Sequence, residues 1–359
     1  MSFKTVLDNF FSLIYYIYYS IICAVAVRMS LVRLLLPHEH RKLGTAHKGV
    51  CGNLFYPHNT MTARYCRRIR KEITIMYKIA SKRELNPSVV MMEIDAPLVA
   101  KKALPGQFII LRVDEDGERI PLTVAGTDRE RGTVKIIFQI VGRTTKKLSF
   151  KSEGESITDF VGPLGKPTEL DGISRACIVG GGVGCAIALP IAEALHEAGA
   201  HVTSIVGFRS RDIVILEDEF QACSDELIMM TDDGSCGREG NVTVPLKEML
   251  ESGKKFDMII AIGPLIMMKF VTLTAKPFGI PVTVSMNPIM IDGTGMCGGC
   301  RLTLCRDGER VTKFACVDGP DFDGYEVDFD EAMSRGRMYM PFERHAYEAT
   351  CNLFAKEAE

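Results

Sequence analysis

The 359-residue sequence has no excess of either charge: 43 Lys and Arg stand against 45 Asp and Glu, a net charge of −2. That balance argues against a general nucleic-acid binder and removes long-range steering of polyanions. Tryptophan is absent, and histidine is scarce, with none between residues 202 and 344. There is no internal repeat, and neither a Ser–His–Asp arrangement nor a catalytic carboxylate pair stands out. Twelve Cys in so long a chain are too few for a disulfide-stapled miniature fold. What is present, 47% hydrophobic and 25% charged residues, is the composition of a folded globular protein with room for two or three domains.

The first stretch differs from the rest. Phe10 to Val27, FFSLIYYIYYSIICAVAV, holds no charge over eighteen residues, close to the lower limit for a bilayer span. Arg28, Arg33, Arg41 and Lys42 follow it, so a spanning segment would keep the body on the cytoplasmic side. Two other readings stand beside a membrane anchor. One is an organellar targeting extension, because residues 28–71 are basic and poor in acids. The other is an upstream extension outside the working protein, with Met29, Met61 or Met76 as alternative starts. No secretory cleavage motif stands out. Residues 1–72 carry no catalytic motif, and the expectation for the body is a cytoplasmic protein.

The body divides into modules. Residues 73–172 contain short β-rich pieces (SVVMMEIDA, GQFIILRVDE, RIPLTVAGTD, GTVKIIFQIVG) punctuated by Asn86-Pro87, Pro105-Gly106 and Asp116-Gly117. That pattern predicts a small antiparallel barrel or sandwich. Residues 173–285 alternate buried-strand runs with helical stretches, which predicts a parallel, doubly wound α/β sheet. Residues 286–328 are short, Gly-rich and Cys-rich, and residues 329–359 read as a charged helical tail.

The Cys-rich segment carries the strongest signal. Cys297 and Cys300 form a C-x-x-C pair, Cys316 follows fifteen residues later, and Cys305 lies between. Gly293, Gly295, Gly298 and Gly299 surround the pair, as a loop wrapped around an inorganic cluster needs if backbone N–H groups are to approach sulfur. A thioredoxin-type pair would sit at a helix start. A zinc site would want a second C-x-x-C or a His pair, and buried structural Cys is the third alternative. A plant-type [2Fe–2S] loop has Cys where this chain has Asp292, giving D-x4-C-x2-C-x15-C. The fourth ligand is therefore Asp292 or Cys305. The strand-like RLTLCRDG favours Asp292, because a stiff strand carries Cys305 away.

With GMCGGCR and KFACVDGP, this segment resembles the small (alpha) subunit of NADH-dependent reduced ferredoxin:NADP oxidoreductase, known also as the sulfide dehydrogenase alpha subunit. That family is related to the electron-transfer subunit of dihydroorotate dehydrogenase. The similarity runs from Met76 to about Met340. It implies a ferredoxin-NADP reductase-like fold, multidomain β plus α/β, with an FAD-binding antiparallel barrel, a Rossmann-like NAD-binding domain and a small [2Fe–2S] domain. It implies cluster ligation by Asp292, Cys297, Cys300 and Cys316.

Within the barrel, RIPLT (residues 119–123) resembles the superfamily's flavin signature. Arg119 would offer a fork to a phosphate. Pro121 and Leu122 would hold the chain beside the isoalloxazine, and Thr123 would reach its redox edge. The commoner form is R-x-Y-S, so Thr123 stands one residue further from Arg119 and the Tyr is missing. GRTTKKL reads as a helix N-terminus, where Gly142, Thr144 and Thr145 can meet the flavin pyrophosphate. By resemblance Phe138 and Gln139 border the flavin. The plainer readings are an edge strand broken by Pro and simple helix capping.

IVGGGVG closes a strand and opens a helix, and Gly181, Gly182, Val183 and Gly184 would let a pyrophosphate approach the backbone. The spacing is not a full G-x-G-x-x-G, so alone it is weak. Arg209 and Arg211 follow the next strand, where they read as a 2′-phosphate site or as solvated charges; the resemblance implies NAD(H), with NADP(H) as the other reading. Gly263 and Pro264 lie in IGPLIMM, which resembles the superfamily's C-G-P-x-x-M near the nicotinamide, with Ile262 in place of Cys. TDDGSCGREG reads as a covering loop or a surface turn. The Met pairs at 229–230 and 267–268 read as core filling.

The implied function is conversion of two-electron to one-electron transfer: NAD(H) exchanges a hydride with FAD, and single electrons pass to the cluster. Cofactors carry that reactivity, so no catalytic side chain is expected. The implied partners are a larger flavoprotein with FAD and [4Fe–4S] clusters, and ferredoxin, in a reaction that can be electron-bifurcating. Membrane contact would run through residues 10–27. The rival enzyme reading is the electron-transfer subunit of dihydroorotate dehydrogenase, which normally has Cys at the Asp292 position. The non-enzyme reading is a ferredoxin-like or zinc-binding interaction module.

Overall fold

The computed structural model describes residues 76–357, with side chains through Glu348. These residues belong to one compact unit, Arg70–Glu359. The apolar run at 10–27 and the rest of the extension 1–72 lie outside the described residues. Among the described residues no helix is long and apolar enough to cross a membrane.

The first module is built from β1 (Tyr77–Asn86), β2 (Val89–Asp95), the short α1 (Pro97–Ala100), β3 (Phe108–Arg112), β4 (Arg119–Asp128), β5 (Thr133–Gln139), α2 (Arg143–Ser149), β6 (Ser156–Ile157) and β7 (Asp159–Leu164). The strands form one seven-stranded antiparallel sheet in the order β6-β1-β2-β5-β4-β3-β7, curled into a nearly closed barrel. Alternation along each strand decides what it buries. Val90, Met92 and Ile94 of β2, and Ile109 and Leu111 of β3, fill the barrel with Phe138 and Phe160. The opposite faces are also covered. Phe108 and Ile110 enter a second core, and Val89 and Ile137 a third, both shared with the α/β module.

The second module follows as β8 (Arg175–Gly181), α3 (Gly184–Glu197), β9 (His201–Phe208), α4 (Glu217–Cys223), β10 (Glu226–Thr231), β11 (Arg238–Glu239), α5 (Thr243–Glu251), β12 (Met258–Ile262), α6 (Leu265–Ala275) and β13 (Val282–Ser285). These strands pair in parallel, buried on both sides as crossover helices require. In β8, Ala176 and Ile178 face one core while Cys177 and Val179 face the other.

The Cys-rich segment is a hairpin, β14 (Arg301–Arg306) with β15 (Glu309–Phe314), then α7 (Ala315–Asp318) and β16 (Asp321–Asp323). β16 returns to pair antiparallel with β13, completing a seven-stranded sheet ordered β11-β10-β9-β8-β12-β13-β16. Helices α8 (Phe329–Gly336) and α9 (Met340–Glu357) end the described chain, and the Asp328 carboxylate caps α8 by accepting the Glu331 N–H at 2.9 Å.

The sheet order reverses between β8 and β12, which is where open α/β sheets bind ligands. Two glycine turns meet there. A Cβ on Gly184 would stand 2.4 Å from the Ile262 carbonyl oxygen, and one on Gly263 would stand 3.1 Å from the Gly181 Cα. Gly182 has φ +56° and open space around its missing Cβ. Gly184→Ala is therefore expected to destabilise the fold by about 1–3 kcal/mol through a clash with backbone. Gly182→Ala should cost only the left-handed penalty of about 1–2 kcal/mol and force no clash. Thermal melts of the two variants check this, with the larger loss expected for Gly184→Ala.

Candidate functional site

A cavity of about 970 Å³ opens over this switch point, and both modules line it. From the barrel come the middle of β4 (Ile120, Pro121, Leu122, Thr123), Phe138 and Gln139 at the end of β5, then Val141 and Thr145. The α/β module contributes Gly181, Gly182, Val183 and Gly184, the Gly207–Arg209 stretch, Gly263 and Pro264. Ser285, Met286, Asn287, Met290 and Pro320 line it from the segment leading to and from the cysteines. A large, mostly apolar cleft with few polar anchors is what a cofactor site requires. Among the lining residues only Arg209 and Asp232 are charged.

The sequence-predicted residues therefore converge, with three exceptions. Arg119, Gly142 and Thr144 stand off the lining. Arg119 opens β4, and its Nε is buried without a hydrogen-bond partner. Its neighbour across the ladder, Arg112, is already held by Asp159 at 2.7 Å and by the Glu115 carbonyl. A sealed, unpartnered guanidinium nitrogen fits an anionic group brought by a ligand. The Thr144 hydroxyl donates to Glu118 at 3.3 Å. Thr145 is spent on its own helix: its hydroxyl accepts the Val141 and Gly142 N–H groups and donates to the Gly142 carbonyl. Thr145 thus caps its own helix and also lines the cavity. Arg209 makes no ion pair among the described residues, whereas Arg211 is off the lining and donates to Cys236 Sγ at 3.1 Å.

Asp232 and Gly240 of TDDGSCGREG, the stretch read as a covering loop or a surface turn, are on the lining, whereas sequence reasoning missed the Met286–Met290 wall, Pro320 and the Asn241–Thr243 turn. A signal existed for the last. Asn241 Oδ1 accepts the Thr243 N–H at 3.1 Å, an Asx turn readable from G-N-V-T ahead of α5.

Beyond the Met286–Met290 wall lie the cysteines. Cys300 and Cys316 are buried with sulfurs 3.1 Å apart, and the Cys316 N–H donates to Cys300 Sγ at 3.4 Å. Burial first, then the hydrogen bond with Cys300, pushes the Cys316 thiol up to about 12. Cysteine thiols shed their protons when a metal takes their place. Asp292 accepts the Thr294 and Cys297 N–H groups, each at 2.7 Å, and the Thr294 bond is the largest influence holding its carboxyl below the usual range. Cys297 is exposed, with Sγ accepting the Gly299 N–H at 3.4 Å.

Among the described residues no three His, Cys, Asp or Glu side chains converge on one metal-ion position. The four predicted ligands stand instead as two pairs, Cys300 with Cys316 and Asp292 with Cys297. That donor set suits a centre whose ligands are divided between two metal atoms. Cys305 is exposed on β14 opposite Arg310, at the far end of the hairpin, roughly 16 Å along an extended strand from Cys300.

Comparison with known proteins agrees with this layout. Residues 287–328 match the iron–sulfur cluster binding domain of dihydroorotate dehydrogenase B. The Thermotoga maritima dihydroorotate dehydrogenase B (NAD(+)), electron transfer subunit homolog, is 48% identical over 275 residues, spanning 77% of this chain and 95% of that protein. The dihydroorotate dehydrogenase B electron transfer subunit of Desulforamulus reducens is 31% identical, over 67% of this chain and 93% of that one. A solved structure of NADH-dependent reduced ferredoxin-NADP oxidoreductase superposes with a TM-score of 0.71 at 48% identity, covering 77% of this chain and 98% of that chain. Barrel, parallel sheet and cysteine segment are thus shared along nearly the full length of these relatives, and the chain belongs to the dihydroorotate dehydrogenase B electron-transfer subunit family of oxidoreductases.

Proposed function

We propose that this chain binds FAD against β4, NAD(H) over the Gly181–Gly184 turn, and a [2Fe–2S] cluster at Asp292, Cys297, Cys300 and Cys316, and that it passes electrons between NAD(H) and a larger flavoprotein subunit carrying FAD and [4Fe–4S] clusters, with ferredoxin as a further partner. One observation carries this reading: a single cavity is walled jointly by the flavin-type strand, the nucleotide-type turn and the segment that leads to the cysteines. When bound, the flavin supplies the conversion between a hydride pair and single electrons. The work of the chain is placement. Pro121 and Leu122 present a flat apolar edge, and Thr123 offers a polar group beside it. Arg119 offers its unpartnered Nε to a phosphate. Gly182 and Val183 let a diphosphate reach backbone N–H groups, and Arg209 meets the anionic end of the nucleotide. The apolar lining excludes water from hydride exchange.

NAD(H) is favoured over NADP(H), because Arg209 is the single cation on the lining. A cytoplasmic setting suits the eight cysteines whose side chains are described, all free. The runner-up is an electron-transfer subunit serving a dihydroorotate-oxidising partner, favoured by the names of the relatives in Thermotoga and Desulforamulus. Co-purification separates the two: a large FAD/[4Fe–4S] flavoprotein supports the first reading, a dihydroorotate dehydrogenase catalytic subunit the second.

The purified chain should be yellow-brown and contain flavin and iron, and NADH should bleach the flavin band; a colourless zinc protein would overturn the proposal. Arg119→Ala is expected to weaken flavin binding by about 2 kcal/mol, roughly thirtyfold, as read by flavin release on dilution. Iron analysis and electron paramagnetic resonance check the ligand set. Cys316→Ser should lose the cluster while Cys305→Ser keeps it, and Asp292→Cys should keep a cluster with a changed spectrum and potential.

A further inference from the structure

Asp321 opens β16 immediately after Pro320, which lines the cavity. Its Oδ2 accepts the Thr168 hydroxyl at 2.6 Å. Its Oδ1 is sealed from solvent and has no hydrogen-bond partner, although the residue as a whole is only partly buried. Directly across the β13–β16 ladder stands Ser285, which lines the same cavity. Thus the chain after the barrel (Thr168), the end of β13 (Ser285) and the end of the cysteine segment all meet at one carboxyl.

A sealed carboxylate oxygen without a donor is costly, and protonation relieves that cost. Burial pushes the Asp321 carboxyl above its ordinary range, opposed first by the hydrogen bond from the Thr168 hydroxyl and then by the nearby Ser285 hydroxyl, which stops short of a hydrogen bond to Oδ1. The charged groups on the surrounding elements are engaged elsewhere. Lys313 of β15 pairs with Asp318 of α7 at 3.3 Å, and Lys166, beyond β7, acts on the same Asp318. Asp323 of β16 accepts the Tyr325 N–H at 2.9 Å. On the barrel turn, Gln107 donates to the Gly165 carbonyl at 2.8 Å. Among the described residues no cation hydrogen-bonds to Asp321.

We propose that Asp321 is the charge-compensating group of the redox site, taking up a proton through Ser285 when electrons enter the cavity and releasing it when they leave. This rests on the flavin reading given above. NADH loses a hydride and becomes NAD⁺, and the hydride's hydrogen and electron pair stay on the flavin. The added negative charge disfavours the ionised carboxyl, so an O–H bond forms on Asp321 with a proton drawn from solvent. When a one-electron acceptor on the partner withdraws the electrons through the cluster, that O–H breaks and the proton returns to solvent. The hydride's own hydrogen leaves the flavin as a second proton. Asp321 acts through Ser285 and is a positioning residue for charge.

Infrared difference spectroscopy of the full chain with its cofactors, reduced minus oxidised, tests this. The wild type should gain the C=O stretch of a protonated carboxylic acid on reduction, and Asp321→Asn, nearly isosteric, should lack it. The slope of flavin potential against pH should correspond to about one proton fewer in Asp321→Asn. A second variant keeps the test sharp if that one folds poorly. Thr168→Val removes a hydroxyl that favours the ionised form, so the proton-uptake window should move to higher pH. A wild-type spectrum without an acid band, a band surviving in Asp321→Asn, or an unmoved window in Thr168→Val overturns the assignment. Bleaching of the flavin by NADH is recorded in the same cell and tests the underlying function separately. A bleached sample with no acid band sinks the role of Asp321 alone.

Discussion

Strand β3 has no solvent face, and the arrangement of the whole body depends on that. Ile109 and Leu111 point into the barrel, while Phe108 and Ile110 point into the core that also holds Cys300, Cys316, Met286 and the inner residues of the parallel sheet. A period of two along one five-residue strand thus divides a pair of cores that share a wall. The cysteine segment leans on that wall. A Cβ on Gly293 would stand 2.6 Å from Leu164 Cδ1 and 2.9 Å from Ile110 Cδ1, so the loop bearing the ligand candidates packs directly on barrel side chains. Apolar packing joins the barrel to the cysteine segment, with no ion pair between them among the described residues.

The cavity is correspondingly poor in charge. Glycine turns, apolar side chains and uncharged polar groups make up its lining, with Arg209 and Asp232 as the charged exceptions. Such a surface holds large planar and diphosphate groups by shape and by directed N–H donors. It has no side-chain acid or base on its walls for hydrolytic chemistry other than Asp232. That matches an oxidoreductase subunit whose reactivity resides in what it binds.

The parts of this site that were legible in the sequence are those encoded by a few adjacent residues. RIPLT, GGGVG and C-x-x-C each fix a local backbone shape; the first two reach the cavity, Arg119 excepted, and the third sits in a glycine loop. The strand-like RLTLCRDG does fold as β14, which sets Cys305 at the far end of the hairpin from Cys300. The rest depends on register between distant segments. Nothing local marks Met286 or Met290 as cavity wall, because that role comes from where β13 ends relative to β8. Nothing local marks Asp321 as sealed. Its carboxyl is enclosed where β16 turns back onto β13 and the Thr168 hydroxyl donates to Oδ2. Thr145 shows the opposite limit: two readings of one hydroxyl competed in the sequence, and the folded helix uses it for capping while its residue still touches the cavity.

The return of β16 to β13 has a bearing on loop closure. The ligand loop and its hairpin form an excursion whose two feet, Ser285 and Asp321, are anchored as ladder partners in a finished sheet. Strand pairing thus meets the chain-entropy cost of closing this loop, so that cost does not fall on the metal ligands.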